Sequence, residues 1–263
     1  IDWNTTTQTI GHLVLASGVT TTLAGDAKAK KVTLNATSTI TAAHELHVFA
    51  AANDSFVQAP TATISVNTLR FMMSGGGSYS NGAIYAPGLG VDFRIVPNIG
   101  GVTATLTMTG SLNIGTKQLN LKPASNGKVS GLVMGGNGLT CGGILLGDVS
   151  AIDRSGNLDL GTGSHRISGA VVGGNAANLS NHLDFGSSYV DLTGGSITGT
   201  NIDTLACDDG ACHIVGGTLT DCAADPGGIV NCHGTANNGG NHASFLFDEG
   251  AHPGTLMMMG AGV

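Results

Sequence analysis

Charge is the scarcest property of this sequence. Asp, Glu, Lys and Arg together make up 10% of the 263 residues, against roughly 25% in an ordinary globular chain. Glutamate occurs only at Glu45 and Glu249, and lysine is sparse, so long helices lack the residues that favour them. Aromatics are 4%, and Tyr79, Tyr85 and Tyr189 are the only tyrosines, which leaves few platforms for stacking a sugar ring. No apolar run approaches the roughly 20 residues of a membrane-crossing helix. A phosphate-binding Walker loop, a dinucleotide fingerprint and a G-x-S-x-G nucleophile elbow are all missing. Disorder is excluded as well, because it needs high charge and low hydrophobicity.

Glycine is what the chain has instead, 43 residues of it. There is no strict three-residue period, so this is not collagen. Between the glycines lie short Val/Ile/Leu runs interleaved with Thr, Ser and Asn, the pattern of short strands joined by tight corners. Residues 102–109 alternate most clearly, with Thr103, Thr105, Thr107 and Thr109 on one side and Val102, Ala104, Leu106 and Met108 on the other. GLVMGGN at 131–137 and GAVVGGN at 169–175, with SAIDRSGN at 150–157 between them, place Asn at 137, 157 and 175. A period near twenty residues marks a repeat fold, whose units bury their apolar faces against one another. The sequence therefore predicts an all-β parallel β-helix (β-solenoid) with coils of about 20 residues, and a β-sandwich or jelly roll is the rival. The reading is one elongated β domain over 1–263, with 1–25 as N-terminal strand or cap and 245–263 as C-terminal cap or exchanged strand. The Gly- and Ser-rich stretch 74–90 is the best internal boundary or projecting loop.

Charge is also unevenly placed. Residues 1–166 carry ten bases against eight acids, whereas 167–263 carry nine acids and no base. Such a surface is a poor partner for nucleic acid. It suits head-to-tail or strand-edge contact between copies of the chain, because complementary fields set register. No initiator Met opens the sequence, and the expectation is a cleaved signal peptide and a mature protein outside the cytoplasm.

Five cysteines are present, and Cys207, Cys212, Cys222 and Cys232 cluster. In an oxidising compartment these four are disulfide candidates, Cys212 above Cys232 or two short loops, with Cys141 left over. A metal site from these thiolates with His213 or His233 is the alternative, but the spacing matches no zinc finger or ribbon. No metal and no cofactor is expected. His44-Glu45-Leu46-His47 is one residue short of the zinc-protease motif, so its histidines read as ordinary. Asp148, Asp153 and Asp159, near Arg154 and Arg166, are the carboxylates to test for polysaccharide cleavage, although their spacing shows no groove. The threonines at 103–109 are regular enough to match a lattice, but such a surface needs T-x-T on every coil, and it does not recur after Gly110. Sequons at Asn4, Asn35, Asn53 and Asn178 are possible glycosylation points.

The Gly-Gly-Asn corners, the Thr/Asn-rich short strands and the scarcity of charge resemble secreted β-helix surface proteins: adhesin passenger segments, filament subunits, and sheath or surface-layer components. The resemblance implies an extracellular or cell-surface structural role. The expectation is a non-catalytic subunit that self-assembles into a filament, sheath or surface layer. Its contact segments are sought in 1–25 and 245–263, at Ile1, Trp3, Phe245, Phe247, Met257, Met258 and Met259. The alternatives are a secreted adhesin or glycan-binding module, with glycans as partners, and a carbohydrate-active enzyme.

Overall fold

The computed structural model describes residues 9–73, 77–97, 103–150, 153–174, 180–208, 212–223 and 227–248. Every strand pairing among them is parallel, and no helix occurs, so none is long and apolar enough to cross a membrane. The fold is a parallel β-solenoid, and the sandwich rival falls because its sheets would be antiparallel.

Each coil is a set of sides joined by corners. The longest face runs from Ile10–Leu15 through Ala27–Leu34, Glu45–Ala50, Thr68–Met73, Asp92–Pro97, Gln118–Leu121, Gly143–Leu146, Ala170–Gly173, Ser196–Thr198 and Thr218–Thr220 to Ala236–Asn237. A six-stranded face holds Ser78–Asn81, Thr103–Met108, Lys128–Val133, Arg154–Asp159, His182–Asp184 and Thr204–Ala206. An eight-stranded face runs from Ile84–Tyr85 to Phe245–Phe247. A small face near the N-terminal end holds Thr20–Thr22, Thr39–Thr41 and Thr63–Ser65.

Alternation sets what each side contributes. Inward positions stack into columns: Leu46, Leu69, Phe93, Leu119, Ile144, Val171, Ile197 and Leu219 lie on successive rungs of the long face, all buried. Leu106, Leu132, Leu158, Leu183 and Leu205 form the matching column of the six-stranded face. Phe56, Phe71 and Phe93 fill the wide N-terminal coils, with ring centroids 6.1 and 5.4 Å apart. Such columns carry the stability, since burying one Leu side chain contributes roughly 1.5–3 kcal/mol.

The coil length departs from the twenty-residue motif spacing. Ile10 lies opposite Ala29, Thr68 opposite Asp92, Ile84 opposite Leu112 and Val230 opposite Phe245, so a coil takes 19, 24, 28 and 15 residues in turn. GLVMGGN and GAVVGGN do not stack. Gly131 sits opposite Asn157 on the six-stranded face, while Val171 sits between Ile144 and Ile197 on the long face. An apolar strand followed by a Gly corner is what every side of a coil needs, so the motif recurs by side and not by coil. The corners that do stack are Met134-Gly135, Leu160-Gly161 and Phe185-Gly186. Their glycines have φ of 59°, 66° and 53°. A Cβ on Gly161 would run into the Gly135 carbonyl, and one on Gly186 into that of Gly161. Only glycine accepts both the left-handed backbone and the close approach.

The stretch 74–90 is not a boundary. Ser78–Asn81 and Ile84–Tyr85 are rungs within it, and Ile84, Ala86 and Leu89 belong to the same buried core.

Candidate functional site

The densest polar arrangement lies on the outside of the long face, over four consecutive rungs. Outward positions two residues apart on each strand form two columns. One holds Glu45, Thr68, Asp92 and Gln118; the other holds His47, Arg70, Arg94 and Asn120. Rungs are about 4.8 Å apart, so each side chain reaches those above and below. The Glu45 carboxylate accepts from Arg70 Nη2 at 2.8 Å and from His47 Nε2 at 2.7 Å. Asp92 accepts from Thr68 Oγ1, Arg94 Nε and Asn120 Nδ2, each at 2.8 Å.

Asp92, Thr68, His47 and Asn120 are buried although they face outward. Burial lowers the His47 pKa, outweighing the hydrogen bond to Glu45, so a neutral ring donates Nε2–H to the carboxylate. Two buried polar atoms in this ladder, Arg70 Nε and Asn120 Oδ1, have no hydrogen-bond partner among the described residues. The arrangement is a charge-compensated row of fixed donors and acceptors. Sequence reasoning passed over it because Glu45, Arg70, Asp92 and Asn120 lie 22 to 28 residues apart at unequal spacing; the legible signal was only the His-Glu-Leu-His run, whose Glu45 and His47 do share a face.

The carboxylates put forward for polysaccharide cleavage are not brought together. Asp148 is 1% exposed and bonded to Lys122 Nζ at 3.0 Å and Arg154 Nη1 at 2.9 Å. Burial alone would raise its pKa, but the Ser150 N–H, Lys122 and the Ser150 hydroxyl together bring it down to about 2. It is a corner clamp between rungs. Asp153 sits just before the strand Arg154–Asp159 and Asp159 at its far end, about 17 Å along the strand from Arg154. Burial and the neighbouring Asp184, one rung up, raise the Asp159 pKa. Asp159 lines a shallow depression of about 200 Å³ with Thr105, Asn157 and His182. Arg166 lies elsewhere, 3.8 Å from Asp191 on the eight-stranded face.

All five cysteines are buried and no disulfide joins them, so the staple expected of Cys207, Cys212, Cys222 and Cys232 is not supported. For Cys212 and Cys232 the register is the reason. Cys212 lies opposite Val230 and Cys232 opposite Ile214, so the two do not stack one above the other. Cys141, Cys212 and Cys232 take the core position that Val, Ile or Phe takes on the neighbouring rungs, as small apolar groups. Burial pushes the pKa of Cys141 and Cys232 up to about 12 and that of Cys222 to about 11, which leaves unreactive thiols at neutral pH.

His213 and His233 point outward from the same strands and meet each other, Nδ1 to Nε2 at 3.1 Å, away from the thiols. His233 Nδ1 lies 2.9 Å from Asp248. Among the described residues no three metal-ligating side chains converge.

The sequons and terminal segments divide. The Asn35 amide donates to the Leu15 carbonyl at 2.8 Å, which holds its half-buried side chain against the preceding rung. Asn53 is exposed and accepts from Ser80 N–H. Asn4, Asn178, Ile1, Trp3, Met257, Met258 and Met259 lie outside the described residues. Phe245 and Phe247 are in the last described rung, paired with Val230 and Cys232 of the same chain. The threonines of 103–109 face a mixed column: Thr105 lies opposite Gly131, followed by Asn157 and His182.

No protein-family model, no curated protein and no solved structure matches this chain.

Proposed function

We propose that the chain is a non-catalytic structural subunit of an extracellular filament, sheath or surface layer, in which copies join end to end through their exposed rungs. The observation that carries this reading is the first described rung. Ile10–Leu15 and Thr20–Thr22 are hydrogen-bonded on one side only among the described residues. They border an apolar hollow of about 500 Å³ lined by Ile10, Leu13, Val14, Leu15, Val19 and Leu23. Val14 is 53% exposed and Val19 is 41% exposed. Strand edges are usually guarded by Lys, Pro or a bulge, and Ile10–Leu15 carries neither Lys nor Pro. The charge distribution supports head-to-tail polarity. Every base lies at or before Arg166, and the later rungs carry only acids.

The test is a gatekeeper substitution. The unaltered chain is expected to show a concentration-dependent rise in light scattering, which Val14→Lys is expected to abolish while leaving the circular dichroism spectrum unchanged. Identical scattering from both proteins would sink the proposal.

The polar ladder of the long face favours a second reading, a glycan-binding module. Sugar hydroxyls both donate and accept, and the partly exposed Glu45 and Arg94 and the exposed Gln118 present both kinds of group along the ladder. That reading expects a monomer whose melting temperature rises with a bound oligosaccharide.

A further inference from the structure

The small face near the N-terminal end carries an array that no role so far uses. Its three strands are in register: Thr20, Thr39 and Thr63 form one column, and Thr22, Thr41 and Ser65 a second. Between the columns Thr21, Ile40 and Ile64 turn toward the core, and Ile40 and Ile64 are fully buried. Thr37 and Thr61 add a third column at the corner, where the Thr37 N–H donates to Thr61 Oγ1 at 3.0 Å. The aligned segments read GVTTT, TSTIT and TATIS, at 18–22, 37–41 and 61–65.

Three physical properties set this face apart. The first is regularity. Columns repeat at about 4.8 Å between rungs and about 6.8 Å along a strand. The second is stiffness. Threonine is β-branched and restricted at χ1, and Thr22–Thr41 and Thr39–Thr63 hold one another through hydroxyl contacts of 3.1 Å. A hydroxyl has one donor and two acceptor sites, so each keeps capacity for water after that contact. The third is the lack of charge: no Asp, Glu, Lys or Arg occurs within 16–23, 35–42 or 59–66. A charged group would organise its own hydration shell around itself, whereas evenly spaced methyls and hydroxyls favour an extended ordered water layer.

We propose that this face binds ice. Its two spacings lie close to oxygen repeats of hexagonal ice, and the array is already ordered before contact, so little conformational entropy is lost on binding. The sequence reading sought such an array at 103–109, where the rungs break it. It lies on the face formed by the earlier coils.

The test uses the purified full chain in an ice-recrystallisation assay, with ice-crystal shaping observed in parallel. The unaltered chain is expected to keep crystals small and to facet them. Thr39→Tyr, at the centre of the array, is expected to need roughly tenfold more protein for the same effect, because a large ring breaks the lattice match. Thr162→Tyr, the same change at an exposed position on another part of the coil, is expected to change nothing. Circular dichroism in the cold checks that each variant is folded. The proposal is overturned if the unaltered chain acts no better than serum albumin at equal concentration, or if the folded Thr39→Tyr protein matches it. Retention on crystalline cellulose or chitin without any effect on ice also overturns it.

Discussion

His165 and Asp148 are the two buried titratable groups whose protonation the folded chain resists most clearly, and they act in different pH windows. His165 is 3% exposed, and its Nδ1 accepts the Leu139 N–H at 3.2 Å. Burial, opposed by the Leu160 carbonyl, pushes its pKa from 6.5 down to about 4. The unfolded chain therefore binds this proton first. The group's contribution, about 3 kcal/mol, is fully present above pH 6.5 and lost as pH falls toward 4. Asp148 falls from 3.8 to about 2. Its contribution, about 2 kcal/mol, is present above pH 4 and lost as pH falls toward 2. Urea midpoints measured from pH 7.5 to 2.5 should fall in two steps. In His165→Leu the upper step should vanish and the lower remain. Asp148→Asn should cost about 3–5 kcal/mol at neutral pH, because it leaves Lys122 and Arg154 beside a group that no longer balances them.

Corners and strands are the elements of this fold, and they were not equally legible in the sequence. Short strands and Gly corners could be read directly from Val/Ile/Leu runs broken by Gly-Gly. The coil length could not, because corners of differing length separate sides that look alike; the stacked Met134-Gly135, Leu160-Gly161 and Phe185-Gly186 show the true spacing only once their register is known. Gly161→Ala tests that stacking. It should cost about 2 kcal/mol or more, combining a left-handed backbone with a blocked approach. Gly127 has φ of 72° and open space around its Cβ direction, so Gly127→Ala should cost about 1 kcal/mol, from backbone strain alone. The expectation that Cys212 stacks on Cys232 fails for the same reason as the coil length. Twenty-residue spacing suggested that Cys212 and Cys232 stack, while the coil there takes eighteen residues and sets them two positions apart. Five thiols per chain should react with a thiol reagent in denaturant without prior reduction, and none in the native protein. Fewer than five in denaturant would restore the staple.

At the scale of the whole molecule, the polar ladder, the hydroxyl array and the open first rung all depend on the same regularity. Parallel in-register stacking brings together residues a full coil apart, which is why none of the three stood out as a local motif. In the proposed assembly, the same regularity lets one end of the solenoid template another. A copy docked on Ile10–Leu15 would continue the ladder, cover Val14 and Val19, and set the acidic rungs of one copy next to the half of its neighbour that carries the bases. Fibre diffraction from concentrated, aligned protein is the most direct measurement of that claim. End-to-end assembly should give filaments whose strands lie across the long axis, with a reflection along that axis at about 4.8 Å. A protein that stays monomeric at every concentration, or filaments lacking that axial repeat, would contradict it.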